Sequence, residues 1–471
     1  MAKLWEKGYV VDSLVEAFTT GEDYILDRRL LPSDIAASTA HAAMLCSIGV
    51  ISREEHRSIK EGLTGILKDF EAGNFTVDKD DEDCHTAIEN KLVALIGTAG
   101  EKVHTGRSRN DQVLAALRLF TRDFLLIFIN DLSALIQRLK IKALEYDKVP
   151  IPGRTHLQLA MPSSIGLWLA SFAENLLDLS ESLWTNYALN NQCPLGSAAS
   201  YGVPLGLDRE MVADLLGFKK VQNNVLYVNN SRGMIELSVL SSLELIVLAL
   251  NKLASDMILF SLPELAYLRL PDEICTGSSI MPNKKNPDLL ELVRAKSSTV
   301  SACAEQVKSI IRSLASGYNR DFQETKEPFF RGMDTALRSL RVMELAVSKL
   351  ELNIDNCYRA FKSEVFATDR TYRLLSEGKS FREEYRLIAE EMKKQDKDKK
   401  GTSVISAEEI DRSLTLRSSQ GSPGNLRLDI LERGLEKLDT ELELEASRID
   451  GKIEELLGRR LMFYSLHDEP R

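Results

Sequence analysis

Along most of this chain apolar residues recur at steps of three and four, the period of a helix with one buried face. Residues 109–147 show it plainly: Val113, Leu114, Leu117, Phe120, Phe124, Leu125, Phe128 and Leu132 follow that spacing, with no proline before Pro150. Residues 162–190 give a second long stretch, with Pro162 and the Ser163-Ser164 pair as its helix start. Residues 233–262, 287–316 and 329–352 give three more. Asp288 and Glu291 fall in the first turn of the fourth stretch, where carboxylates suit the helix dipole. Ordinary helices run about 11 or 12 residues. Five stretches of about twice that or more predict a bundle of long rods. The expected fold is all-α, in three mainly helical parts: 1–108 with substrate loops, 109–358 as the central long-helix bundle, and 359–471. Strand signals are few, and a short hairpin is expected somewhere in 193–208.

Composition narrows the class. The 471 residues exceed what one core usually supports, and 44% apolar with 28% charged residues describes an ordinary globular protein. The most apolar stretch, 237–260, is interrupted by Glu244, Lys252 and Asp256. Each charge at a bilayer centre costs about 2.5–3.5 kcal/mol, so this stretch is expected inside a protein bundle and no membrane is expected. A net charge of -10 argues against nucleic acid as a partner, yet leaves room for a small anion held by local Arg and Lys. Six scattered cysteines without a CxxC pair, and a start that alternates charged and apolar residues, predict reduced thiols and a cytoplasmic location. Residues 393–400 (KKQDKDKK) read as a solvated connection and 418–425 (SSQGSPGN) as a loop.

The chemistry gathers in loops. Thr276-Gly277-Ser278-Ser279-Ile280-Met281-Pro282-Asn283-Lys284-Lys285-Asn286-Pro287 joins two of the rods. A glycine, a helix N-terminus, two lysines and an asparagine are equipment for holding a carboxylate; the same composition also suits a mobile polar connector. Of the six histidines, His85, His104 and His156 stand beside threonine in polar loops, whereas His41, His56 and His467 read as structural. None has a metal-ligand spacing, so no metal and no cofactor is expected. Ser278 lacks a G-x-S-x-G elbow, which argues against acyl transfer. It could serve as a base only as an alkoxide held by backbone N–H groups and a nearby ammonium.

The loop from Gly277 to Asn286 resembles the G-S-S-x-x-P-x-K-x-N signature of the fumarase/aspartase superfamily. Five further blocks resemble its argininosuccinate lyase/delta-crystallin family: Asp81 to Ala87, His104 to Gln112, Pro152 to Gln158, Pro194 to Ser197, and Gly317 to Gln323 with Lys326-Glu327. The resemblance implies a small-molecule substrate, argininosuccinate, split into arginine and fumarate by a homotetramer with shared sites. It implies Ser278 as the base, Lys284 and Asn286 as holders of the aci-carboxylate, and His156 with Thr155 and Glu291 as the group protonating the departing guanidinium. Asn110, Ser108, Arg109, His85, Tyr318, Gln323, Lys326 and Asp23 would bind substrate. Two departures stand out: Asp23 precedes the Asp27-Arg28 pair where many relatives carry serine, and the common pattern around Arg232 is not reproduced cleanly. Two other readings of the same residues are a non-catalytic oligomer of crystallin type and a lyase for another N-succinyl compound.

Overall fold

A computed structural model describes residues 12–375, 380–398 and 405–464. His467 and the first eleven residues lie outside the described residues. The all-α expectation is borne out. The five rods are Arg109–Glu145, Ile165–Asn190, Met234–Ser261, Asp288–Ile311 and Lys326–Ser348.

Local chemistry sets their ends. Ser108 caps the first rod, and Asp111 reaches back to the Ser108 N–H in a capping box. Ser164 caps the second through the Leu167 N–H, so that rod starts later than expected; Pro162 and Ser163 belong to a strand. The fourth rod stops at Ile311, short of residue 316, and the chain then turns at Gly317 with φ +96°. The fifth starts at Lys326, three residues early, because Pro328 sits in its first turn, where a missing N–H costs nothing.

Consecutive rods run antiparallel. The third, apolar and long enough to cross a membrane by length and composition, packs against the second, fourth and fifth. Close approach needs Gly332: a Cβ there would lie 2.5 Å from Leu240 Cδ2. Every rod therefore has one terminus at each of two ends of the bundle. The near end holds the starts of the first, third and fifth rods, and the far end holds their finishes. The fourth rod alone, 24 residues long, separates the two by about 36 Å.

At the far end a hairpin pairs Pro150–Thr155 with Gln158–Ser164. Thr155 pairs with Gln158, leaving His156 (φ 54°) and Leu157 (φ 61°) as a two-residue turn. The hairpin expected in 193–208 is not there: Gln192–Cys193 pairs in parallel with Lys220–Val221 instead. At the near end the helices Leu31–Ser47 and Cys84–Ile96 pack on the first rod, with Arg53–Glu71 behind them.

The C-terminal helix Leu428–Leu457 lies along the first and second rods and shares their core. Phe361, Val365, Phe366 and Ile410 form a small separate core against Leu159 of the hairpin. Lys393 to Asp398 continue the helix Phe381–Asp398, which replaces the connection expected there; 399–400 lie outside the described residues. The last described residues return to the near end. Tyr464 packs on Phe120 and Phe124, and its O–H donates to Asp334 at 2.7 Å. Arg29 completes this clamp with two 2.8 Å hydrogen bonds to Asp334, its guanidinium 5.0–5.6 Å from the ring centres of Phe120, Phe330 and Tyr464.

Candidate active site

Two half-sites emerge, one at each end. At the near end Lys326 is buried and hydrogen-bonded at 2.7 Å to both Asp23 and Asp27. Burial opposes its charge, but the two carboxylates win and hold the ammonium above its ordinary range. Burial, only partly offset by Lys326, pushes Asp23 up to about 6. Gln323 and Arg320 donate to the carbonyl of Thr19, Gln323 also to that of Thr20, holding the segment that carries Asp23. Arg232 lies buried over the rings of Tyr318 and Phe322, at 5.3 and 5.6 Å. Asn110, half-buried, follows the first rod's cap. Among the described residues, Ser197 Oγ, Ser200 Oγ, both amide atoms of Asn229 and Asp27 Oδ2 are buried without a hydrogen-bond partner. Such orphans ask for a ligand or ordered water.

Three expected binding residues are engaged in other work. Ser108 Oγ accepts the Asn110 N–H as the rod's cap. Arg109 pairs with Asp83 at 3.0 Å and Glu82 at 3.7 Å. His85 is fully buried, its Nδ1 3.0 Å from Asp34. These contacts fix the three side chains in the wall beside Asn110, while His85 Nε2 and Arg109 Nη2 stay buried without a hydrogen-bond partner among the described residues. Burial disfavours a charged His85, yet Asp34 above all raises it to about 9. Its stabilising contribution is therefore complete below about pH 6.5 and fades as pH rises through 9. The loss of thermal stability caused by His85→Gln should accordingly shrink between pH 6 and pH 9.5; a pH-independent loss would show that the pair is not ionic.

His104 pairs with Glu89 at 2.7 Å. His41 is buried against the Thr105 carbonyl at 2.8 Å, and burial drops it to about 3, as suits a structural role. Sequence reasoning passed over Asp111, which is buried and accepts the N–H groups of Ser108, Gly196 and Ala198 at 2.9–3.0 Å. It ties the 194–198 loop to the start of the first rod. The S-x-x-D spacing of a capping box was its one visible signal. Asp27, Cys84 and His85 bring three metal-capable atoms within 4.8 Å. But Lys326 already neutralises Asp27 through Oδ1, Asp34 holds His85 in its protonated form, which offers no lone pair to a metal, and burial with the neighbouring carboxylates holds the Cys84 thiol well above its ordinary range. These residues do not fit a metal.

At the far end the signature loop is pinched at its base, where Thr276 and Asn286 exchange backbone hydrogen bonds of 3.1 and 2.8 Å. The Asn286 amide donates to the Gly277 carbonyl at 3.2 Å. Within the loop the N–H groups of Ile280 and Met281 donate to Ser278 Oγ at 3.3 and 3.1 Å. Two such donors favour negative charge on that oxygen. Lys285 is bound to Asp272, whereas Lys284 is exposed and has no ion pair among the described residues. Thr155 and His156 are exposed at the hairpin tip, and Glu291 is exposed on the fourth rod. No hydrogen bond joins His156 to Glu291 among the described residues. One chain thus has Asp23, Lys326, Gln323, Tyr318 and Asn110 at one end, and Ser278, Lys284, Asn286, Thr155, His156 and Glu291 at the other.

Comparison with known proteins gives the family and the fold. The family model described as "Lyase" matches residues 7–302. An argininosuccinate lyase of Sorangium cellulosum is 44% identical over 435 residues, covering 92% of this chain and 99% of that one. One of Thermotoga neapolitana is 45% identical over 389 residues, covering 82% and 98%. Among solved structures, EDDS lyase in complex with formate superposes with a TM-score of 0.81 at 22% identity over 96% of this chain and 97% of its own. The class II fumarase of Schistosoma mansoni does so with a TM-score of 0.71 at 19% identity over 90% and 94%. These last two speak for the fold alone. The near-full-length identities reach further, and by them the chain belongs to the argininosuccinate lyase family.

Proposed function

We propose that this protein cleaves argininosuccinate to arginine and fumarate, without a cofactor, as a cytoplasmic homotetramer. The observation that carries the chemistry is Ser278 Oγ seated on two backbone N–H groups in a loop whose Lys284 is uncommitted. Such an oxygen is suited to hold charge and to take a weakly acidic C–H proton. In this reading Ser278 removes the proton from the succinyl β-carbon, and the electron pair passes into the adjacent carboxylate as an aci-carboxylate held by Lys284 and Asn286. The C–N bond then breaks, and His156, assisted by Thr155 and Glu291, delivers a proton to the departing guanidinium nitrogen. Asn110, Tyr318, Gln323, Lys326 and Asp23 bind the substrate, with Ser108, Arg109 and His85 behind them. Purified protein should release fumarate, read by ultraviolet absorbance, from argininosuccinate and not from adenylosuccinate, aspartate or malate. No release from argininosuccinate would favour the non-catalytic reading, and release from adenylosuccinate instead would favour another N-succinyl substrate.

Assembly follows from the two half-sites. One small substrate cannot touch groups separated by a rod of about 36 Å, so the half-sites must meet across subunits. Met234, Leu245 and Leu248 on the third rod, Leu292 on the fourth and Leu345 on the fifth are exposed apolar side chains that favour association of the rods. Within the assembly 1–108 and 359–471 flank the bundle of 109–358, the last part lending one helix back to it. Mixing an Asn110→Asp protein with a Ser278→Ala protein, one lesion in each half-site, then dissociating and reassociating them, should give some sites free of both lesions and restore part of the activity. Hybrids detected by native mass spectrometry yet no more active than either parent would overturn the shared-site reading.

A further inference from the structure

A cavity of about 610 Å³ opens between the hairpin and the C-terminal segment, and no residue of either half-site lines it. Four guanidinium groups line it: Arg370 and Arg373, one turn apart on the helix Ala367–Leu375, and Arg412 and Arg417, on and just after the helix Ala407–Leu416. Asp369 does not balance them. Both its oxygens are taken by Arg417, at 2.5 and 3.0 Å, with Ser413 added. Glu409 is the other acid in the lining, and neither Arg370 nor Arg412 has an ion pair among the described residues. Arg370 and Arg412 against Glu409 leave this wall positive on a chain of net charge -10. A concave wall focuses such a field on an anion. Apart from Thr368 the remaining lining is apolar or aromatic: Phe366 is buried, and Tyr372, Leu416 and Met161 stand 60%, 69% and 49% exposed around it. The size suits a small ligand.

We propose that this cavity binds a multiply charged phosphate anion, a second ligand site distinct from the elimination chemistry. Arginine forks match phosphate oxygens in pairs, and two facing helices can grip one ligand from both sides. The exposed Tyr372 ring offers a stacking face, so a nucleotide and an inorganic pyrophosphate are two sources of the same chemistry. Met161 belongs to the strand that leads away from the His156 tip, and Leu159 of that strand packs on the same small core as Phe366. Occupancy therefore bears on the hairpin.

Calorimetric titration of the whole protein with pyrophosphate and, separately, with ATP tests this, with sulfate at matched ionic strength as control. Saturable binding of either phosphate is expected, weakening as salt rises. The double variant Arg370→Gln/Arg412→Gln should bind at least about tenfold more weakly, with unchanged thermal midpoint and unchanged turnover in the absence of the anion. Tighter binding of ATP than of pyrophosphate assigns the tyrosine face to a base, and equal binding assigns the site to phosphate alone. Absence of saturable binding at millimolar concentrations, equal binding by the variant, or equal binding of sulfate overturns the proposal. The readout is binding, so its failure is separate from any failure of the lyase reading.

Discussion

Ser278→Ala should leave the folded assembly intact and reduce kcat by about a thousandfold or more, a barrier increase of about 4 kcal/mol. The hydroxyl is half-buried in a polar loop and bonds to N–H groups two and three residues ahead in that loop, so its removal opens no core cavity. The loop's base is held independently by the Thr276–Asn286 pairing. Circular dichroism and native mass should match the wild type. A variant keeping more than about a tenth of wild-type kcat, under about 1.4 kcal/mol of lost barrier reduction, would show that another group is the base.

The largest effect on stability is expected at Lys326→Met. Its ammonium is the cation to which both Asp23 and Asp27 are bonded, in a place where water cannot replace it. Removing one partner from a buried ionic cluster costs about 3–5 kcal/mol, since the charges left behind stay desolvated. The cost should be greater at pH 8 than at pH 5. Asp23 already titrates near 6 in the folded protein, above its ordinary value, so its proton stabilises the fold at low pH and that help is lost as pH rises. Adding Asp23→Asn should recover part of the stability and none of the turnover. Urea unfolding of the three proteins at both pH values decides: an unchanged midpoint for Lys326→Met would mean that the cluster is not coupled as its geometry indicates.

These two sites differ in how openly the chain displays them. Ser278 stands inside a contiguous loop of unusual composition, and the rods on either side announce themselves by their apolar period and by caps such as Ser108–Asp111. The Lys326 cluster joins residues 299 apart in sequence, and Asp34 meets His85 only through folding. No local pattern encodes either. The same holds for His85: beside threonine in a polar stretch it resembles a ligand-binding group, and nothing local shows that its helix turns Nδ1 onto a buried carboxylate. The hairpin hid behind Pro150, Pro152 and Pro162, and its turn uses histidine and leucine at positive φ where glycine or asparagine is the usual signal. Conversely, the glycine- and proline-rich stretch after Cys193 suggested a hairpin and is an irregular loop, held by Asp111 and by Arg209, which donates to the carbonyls of Leu195, Gln222 and Asn223.

The clamp around Arg29 carries a consequence for biosynthesis. A chain emerging from the ribosome presents its N-terminal part first and generally folds it first. Here that part cannot finish early. Asp27 waits for Lys326, and Arg29, two residues on, waits for Asp334 and then for Tyr464, far later in the chain. Until Lys326 has been made, the segment bearing Asp23 and Asp27 holds unpaired carboxylates, so nascent chains and chains clipped before Tyr464 should be the forms that chaperones and proteases recognise.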